Sequence, residues 1–155
     1  MRDMQDDIVP DVRKSCLEQK IGGPFGAVVY KDGRIVGKGV NRVVGNNDPT
    51  AHAEIEAIRD ACTNLQTFDL SGCDLYATGY PCPMCMAAII WANIRRVYYS
   101  CDYDDANRIG FRDAHIAGFL RDGCRDAGLL ALESVPKDKV LELYRAFHEG
   151  KGQLY

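Results

Sequence analysis

The chain has 155 residues, of which 46% are hydrophobic and 26% are charged, and its formal net charge is −3. This length suits one average domain, and the acidic balance disfavours nucleic acid as a partner. The first residues lack the basic start and apolar run of a signal peptide, and no apolar stretch is long enough to cross a bilayer. We therefore expect a single domain over residues 1–155, located in the cytoplasm and without a membrane partner.

Seven cysteines are scattered along the chain without the regular spacing of a disulfide framework. In a reducing compartment such thiols serve as metal ligands or as small core residues, and their odd number argues against complete pairing. We therefore expect free thiols, some of which bind a metal.

The first half of the chain predicts a helix, a β-hairpin and a second helix. Apolar positions within residues 3–20 suit one helical face, but Pro10 interrupts them, so this helix is expected to be short or bent. Residues 25–30 and 34–40 predict two strands joined by an Asp-Gly turn, which is a strong hairpin signal. After a polar loop, residues 52–65 carry apolar side chains at helical spacing.

The second half of the chain alternates strands and helices. Residues 74–78 and 96–101 predict strands. The segment 84–92 between them predicts a helix that is apolar on all sides, as in a buried helix or one at a subunit interface. Residues 129–135 predict a last strand, and a final helix follows Pro136. This order implies a central sheet with helices on both faces.

Two short motifs carry the residues that are capable of chemistry. Residues 52–54 are His-Ala-Glu, and residues 81–85 are Pro-Cys-Pro-Met-Cys. One imidazole, two thiols and a carboxylate that need not be a ligand suit a zinc ion with an open fourth position, which is how catalytic zinc is bound. Each motif lies at a predicted helix start, where the partial positive charge favours thiolates and a bound hydroxide.

In that arrangement zinc lowers the pKa of its bound water, and Glu54 can take the water proton and deliver it to a ring nitrogen of the substrate. A closed structural zinc site is an alternative, but it would need a fourth ligand, and the chain has no second C-x-x-C or H-x3-5-H pair. A redox-active cysteine pair is another alternative, and it would explain neither His52 nor Glu54.

Several segments of the chain match a known family. They are residues 22–28, 47–54, 81–85 and 105–113. Through them the chain resembles the cytidine-deaminase-like superfamily, whose signature is H-x-E followed by P-C-x-x-C, and within it the bacterial guanine deaminases. The zinc motifs are shared by the whole superfamily. The Pro-Phe-Gly-Ala of residues 24–27 and the later Gly-Phe-Arg-Asp are the features that point toward guanine.

The resemblance implies a three-layer α/β/α sandwich with a five-stranded mixed sheet, and hydrolytic deamination of a free nucleobase. In guanine deaminases hydroxide attacks the ring carbon that carries the amino group, and ammonia leaves to give xanthine. Carried over by position, His52, Cys82 and Cys85 would hold one Zn²⁺ per chain. Glu54 would shuttle protons, and Asp113 would be a second acid that helps the amine to depart.

Further positions match substrate-binding groups of the family. Asn41 and the backbone of Ala53 match groups that hydrogen-bond the base, whereas Phe25 and Trp91 match aromatic walls. Tyr155 matches a C-terminal tyrosine that closes over the base. In some relatives this tail comes from the partner subunit, which implies a homodimer, with exchange of the C-terminal tail as one form of it. By residue type alone, the two aromatic wall residues also suit a core, and chain ends are usually frayed.

Other functions remain open at this stage. The same zinc motifs serve deaminases of other small heterocycles, such as cytosine, adenine or a triazine, and the tRNA adenosine deaminases. The acidic charge and the lack of a basic C-terminal tail argue against RNA, and Glu54 argues against a catalytically silent zinc-binding domain.

Two residues depart from the family pattern. Pro10 breaks a helix that is normally continuous, and Tyr80 replaces a Glu that usually precedes Pro-Cys, which bears on the choice of substrate.

Overall fold

The computed structural model describes residues 3–155, which form two compact units, one up to Ala117 and the other Gly118–Tyr155. A single domain over the whole chain stays a prediction. The elements in chain order are a 3-10 turn at Met4–Asp7, α1 at Val9–Arg13 with a π-helical turn at Lys14–Glu18, β1 at Gly26–Lys31, β2 at Arg34–Val40, α2 at Val43–Asn46, α3 at Ala53–Leu65, β3 at Cys73–Gly79, α4 at Pro83–Trp91, β4 at Arg96–Cys101, α5 at Tyr103–Arg108, α6 at Asp113–Arg121 and α7 at Asp138–Glu149.

The predicted first helix and hairpin both form. Pro10 lies in the first turn of α1, where its missing N–H is harmless, and the helix then widens into the π-helical turn. The first helix is therefore short and irregular, as expected. Asp32 and Gly33 both have positive φ angles of 50° and 73°, which is the backbone of a two-residue turn between antiparallel strands.

The sheet has four strands in the order β2-β1-β3-β4, with β1 antiparallel to both neighbours and β4 parallel to β3. The mixed sheet is confirmed, but the prediction of five strands is wrong for the described chain. Residues 129–135 were the expected fifth strand, and they contain no regular structure. An apolar run becomes a strand only when another strand supplies a hydrogen-bonding edge, and Leu132 and Val135 instead remain exposed.

Helices cover both faces of the sheet in the first unit. Because side chains alternate along a strand, Val29 and Leu75 face α3 and α4 in one buried cluster. Their neighbours Val28 and Tyr76 face the N-terminal helix and Ile8 in a second cluster. The predicted three-layer α/β/α arrangement is therefore confirmed.

Helix α3 lies unusually close to β2 because both contact surfaces are built from small residues. A side chain at Gly37 or Gly39 would collide with the backbone of α3. The most buried positions of α3 facing this strand are alanines, while the larger apolar residues of the helix are only half-buried beside them. This close contact fixes the start of α3, where the His-Ala-Glu motif lies.

The second unit carries an amphipathic helix whose apolar side chains are exposed. Helix α7 ends near Gly150, and its apolar face is formed by Val140, Leu143, Tyr144 and Phe147, all of them exposed. Within residues 3–155, every helix is too short or too polar to traverse a lipid bilayer.

Candidate active site

The starts of α3 and α4 bring three metal-binding side chains together. His52 is the N-cap of α3, Cys82 is the N-cap of α4, and Cys85 lies in the first turn of α4. The Nδ1 atom of His52 is 3.5 Å from the Sγ atom of Cys82 and 3.6 Å from the Sγ atom of Cys85. Neither N-cap side chain makes a capping hydrogen bond to its own helix, which leaves both available to another partner.

These distances fit a zinc ion. Tetrahedral zinc with Zn–N bonds of about 2.0 Å and Zn–S bonds of about 2.3 Å places its nitrogen and sulfur ligands about 3.5 Å apart. The three ligand atoms lie within 4.8 Å of one another, and among residues 3–155 no other His, Cys, Asp or Glu joins them. The described chain therefore offers three ligands and leaves the fourth tetrahedral position open, unlike a closed structural site.

Hydrogen bonds within the cluster shift the pKa values of its three side chains. The hydrogen bond with Cys85 lowers the pKa of the Cys82 thiol to about 4 although burial opposes this, and His52 contributes to the lowering. The same bond raises the pKa of Cys85, and the hydrogen bond to Cys82 raises the pKa of His52. One thiolate is thus already favoured, and metal binding would displace the protons that remain.

Glu54 faces the cluster without belonging to it. It lies in the first turn of α3, has only 7% of its surface exposed, and lines the same cavity as His52 and Cys82. Burial raises its pKa because the carboxylate loses its hydration. A carboxyl group with a raised pKa can accept a proton from an attacking water and release it again near neutral pH.

A cavity of about 390 Å³ opens in front of the cluster and has the size of a small-molecule site. Its lining residues are Gly22, Gly23, Phe25, Asn41, Val43, Val44, Pro49, His52, Glu54, Cys82, Phe111 and Asp113. A larger cavity of about 560 Å³ lies against α1, β2 and α3, but mostly charged side chains line it and none of the cluster reaches it. The chemistry therefore assigns the smaller cavity as the candidate active site.

Phe25 and Asn41 both line this cavity, as their predicted roles require. The ring of Phe25 packs edge-to-face on Phe111, with 4.7 Å between ring centroids. The Oδ1 atom of Asn41 accepts hydrogen bonds of 3.2 Å from the N–H groups of Gly23 and Val43. These bonds fix the side chain, so its NH₂ group is the part that can donate to a ligand. Phe111 was not singled out from the sequence, although it lies within the Gly-Phe-Arg-Asp motif.

Asp113 reaches the cavity as the first residue of α6. Burial raises its pKa, and the negative charge of Cys82 adds to the rise. Two carboxyl groups with raised pKa, those of Glu54 and Asp113, therefore share one cavity with the metal-binding cluster. Such a combination is typical of sites that move protons.

Other predicted positions lie elsewhere or in the second unit. Trp91 is 61% exposed at the far end of α4, about 12 Å along the helix axis from the turn that carries the cluster. The structure does not bring it to the cavity. Ala53 is buried at the first position of α3, and Tyr80 lines a neighbouring cavity instead of this one. Tyr155 belongs to the second unit, and its role stays a prediction.

Comparisons of the sequence and of the structure with known proteins all find deaminases. Residues 7–101 match the model of the cytidine and deoxycytidylate deaminase zinc-binding region. Over 96 residues the chain is 52% identical to guanine deaminase of Bacillus subtilis (strain 168), which covers 62% of each protein. Over 76 residues it is 54% identical to a tRNA-specific adenosine deaminase of Agrobacterium fabrum, 49% of this chain and 50% of that protein.

The chain is also similar to the X-ray structure of Bacillus subtilis guanine deaminase, with a TM-score of 0.88 and 35% identity over 99% of both chains. In the sequence alignments, the matched part spans between about half and three fifths of the length of these two curated relatives.

Proposed function

Because the chain belongs to the cytidine and deoxycytidylate deaminase family, defined by its zinc-binding region, we propose that it deaminates a free nucleobase by hydrolysis and that the base is guanine. The observation that carries this proposal is the full-length structural match to a guanine deaminase. Zinc as the cofactor agrees with both the family and the cluster of His52, Cys82 and Cys85.

The residues of the cavity suit each proton step of that reaction. Held by the three ligands, zinc would supply a Lewis acid that makes a water molecule acidic enough to react near neutral pH. Glu54 takes a proton from this water as its oxygen attacks the ring carbon that carries the amino group, and passes the proton to a ring nitrogen. Asp113, whose pKa is also raised, gives a proton to the amine as its C–N bond breaks. The proton of the new hydroxyl group then restores Asp113 as that oxygen becomes the carbonyl of xanthine. Guanine and water thus give xanthine and ammonia.

The remaining walls of the cavity would hold the flat base. Phe25 and Phe111 offer apolar rings, and the NH₂ group of Asn41 would donate to an acceptor on the base. The backbone of Ala53 and the side chain of Tyr155 complete the proposed contacts by resemblance. Trp91 is left out of this proposal because it lies at the exposed end of α4.

A panel of free bases tests the choice of substrate. Zinc-loaded protein is incubated with guanine, adenine, cytosine and an aminotriazine, and released ammonia is measured. We expect guanine to give the highest kcat/KM. Faster turnover of any other base, with guanine inert, would contradict the proposal while leaving the zinc chemistry intact.

Deamination of adenosine in tRNA is the second candidate, because tRNA-specific deaminases are about as similar in sequence over the shorter region that they share with this chain. The net charge of −3 argues against a partner that carries a negative charge on every nucleotide. A tRNA anticodon stem-loop assayed for inosine formation separates the two. Inosine formation faster than xanthine formation would favour tRNA.

We also propose that the chain acts as a homodimer in which C-terminal segments are exchanged. Strand β4 ends the sheet, with Tyr98 and Tyr99 exposed, and the apolar face of α7 is exposed as well. Large apolar faces that remain exposed in one chain are typical of surfaces buried by a second copy.

A cytoplasmic location stays a prediction from the sequence.

Complementation tests the exchange directly. A chain carrying Glu54→Gln is unfolded, mixed with a chain carrying Tyr155→Ala and refolded. If the tail of one copy completes the site of the other, heterodimers contain one intact site, and the mixture regains about a quarter of wild-type activity. No recovery, or a monomer of full activity by ultracentrifugation, would contradict the exchange.

A further inference from the structure

The loop between β3 and α4, residues 80–82, leads directly into the metal-binding cluster. Two hydrogen bonds hold it, one to the last residue of β4 and one from the first residue of α5. The N–H of Tyr80 donates to the carbonyl of Cys101 at 2.7 Å. The hydroxyl of Tyr103 donates to the carbonyl of Pro81 at 2.8 Å. Pro81 is fully buried and immediately precedes Cys82, so its position is transmitted to a metal ligand through one peptide bond.

Tyr103 is itself held in place from two sides. It is the first residue of α5, which begins with a reciprocal capping box between Asp102 and Asp105, at 2.9 and 3.0 Å. The ring of Tyr103 also packs edge-to-face on Tyr80, and Tyr80 packs in the same way on Tyr99, with 4.9 Å between centroids in each pair. We call these three residues, Tyr80, Tyr99 and Tyr103, the tyrosine clamp.

We propose that Tyr103 is a positioning residue for the metal site, holding the Pro81 carbonyl so that Cys82 is presented to the ion. This inference rests on the proposed function, because it assumes that the cluster binds zinc. Proline has no N–H, so the carbonyl is the backbone group of residue 81 through which the loop can be anchored by a hydrogen bond. The anchoring matters because α4 holds only the carbonyl of its N-cap Cys82, which accepts a hydrogen bond of 2.8 Å from the N–H of Met86. The peptide bond between Pro81 and Cys82 lies outside the helix, and Tyr103 holds that side.

The electrostatics of Tyr103 suit a permanent donor. Burial raises the pKa of its hydroxyl to about 12, and the negative charge of Cys82 adds to the rise. The phenol therefore stays protonated near neutral pH. Partners that hydrogen-bond a metal ligand directly typically contribute 10- to 100-fold in metal affinity. Tyr103 acts one peptide bond away from Cys82, so we expect the lower end of this range, about 10-fold.

The clamp also gives Tyr80 a role that is separate from substrate. Its ring faces Tyr99 and Tyr103, and it lines a cavity of about 400 Å³ adjacent to the candidate active site. Phe25 and Asp113 stand between the two cavities, since each lines both of them. Tyr80, which replaces the Glu that usually precedes Pro-Cys in the family, therefore helps to hold the loop that carries Cys82.

The test replaces one hydroxyl and measures the metal. Tyr103→Phe keeps the ring against Tyr80 and removes only the donor, and Tyr99→Phe is the matched control within the clamp. The affinity of the full chain for Co²⁺ is measured by chelator competition, and the visible ligand-field spectrum of bound Co²⁺ reports its geometry. We expect Tyr103→Phe to bind Co²⁺ about 10-fold more weakly, with an altered spectrum, and Tyr99→Phe to match the wild type.

A donor returned at the same place distinguishes positioning from packing. 4-Aminophenylalanine incorporated in place of Tyr103 restores an N–H donor at the ring, and we expect it to recover the affinity and the spectrum. Wild-type affinity and spectrum in Tyr103→Phe, or no recovery by the amino analogue, would overturn the positioning role. If the wild-type chain itself bound neither Co²⁺ nor Zn²⁺, the proposed function would fail instead.

Discussion

The metal-binding cluster and the cavity in front of it are built in opposite ways. The cluster comes from two helix starts, where His52, Cys82 and Cys85 are brought together by short local motifs. The cavity walls come from the loop before β1, the end of β2, helix α2 and the start of α6. The metal ligands and the proposed proton shuttle Glu54 therefore lie in two short segments. The cavity residues proposed to contact the base, and the second acid Asp113, are instead spread along the first unit.

This difference suggests how the family can keep one reaction and change its substrate. The cluster tolerates little variation, because the distances between ligand atoms are set by zinc. The walls can change one residue at a time without disturbing the ligands. The following substitutions test whether the two regions can be altered independently.

The largest effect is expected where a ligand is removed. In Cys82→Ala the site loses one of its three ligands, so zinc affinity should fall by more than about 100-fold, beyond the range for outer partners, and deamination should disappear with it. Zinc per chain is measured by atomic absorption after dialysis. Cys101→Ala, which removes an exposed thiol, is the control and should keep both. A zinc content of one in Cys82→Ala would contradict the ligand assignment.

The next largest effect is expected at the proton shuttle. Glu54→Gln keeps the shape of the side chain and removes its basicity, so kcat should fall by about 1,000-fold while zinc content stays unchanged. Glu56, two residues further along α3, pairs with Arg59 at 2.9 Å and lies outside the cavity, so Glu56→Gln should remain active. If Glu54→Gln kept more than a tenth of the activity, another group would have to carry the proton.

A smaller effect, confined to the base, is expected at Asn41. Asn41→Asp keeps an acceptor for the N–H groups of Gly23 and Val43 but loses the NH₂ donor, so kcat/KM for guanine should fall by about 100-fold. Zinc content should hardly change, whereas a carboxyl group at this buried position, in a cavity shared with Glu54 and Asp113, should lower the free energy of unfolding. Asn41→Ala also loses the anchoring bonds and should cost about 1–3 kcal/mol in free energy of unfolding. Wild-type kcat/KM for guanine in Asn41→Asp would show that Asn41 serves the fold and not the base.

The smallest effect is expected at Phe111. Phe111→Leu loses the edge-to-face contact with Phe25, worth about 1 kcal/mol, and should raise KM for guanine about fivefold with kcat nearly unchanged. Steady-state kinetics and chemical denaturation measure the two effects. A drop in kcat with unchanged KM would show that Phe111 affects the chemical step. The cluster and the cavity walls could then not be altered independently.

The ligand cluster was foreseeable because its information is local. Helix-start position and motif spacing point the three side chains to one place, and the sheet alternation of Val28 and Val29 is equally local. The cavity walls were not fully foreseeable. Whether an aromatic residue lines a cavity depends on which elements meet there: Phe111 lines this one, whereas Trp91 lies at the exposed end of α4.

The missing fifth strand has a similar reason. Residues 129–135 have the apolar content of a strand, but strand formation depends on an edge supplied by another part of the fold or by another chain. A local pattern cannot indicate which of these supplies it. The exposed apolar face of α7 has the same origin, since its amphipathic pattern predicts the helix but not the surface that covers it.

The most direct test of the account is to follow guanine with zinc-loaded wild-type protein in water enriched in oxygen-18. Hydrolysis at the cluster predicts equal amounts of xanthine and ammonia, with one heavy oxygen in each xanthine. With Glu54→Gln the same product should form about 1,000-fold more slowly. Unlabelled xanthine, or no xanthine from a chain that carries one zinc, would contradict the account.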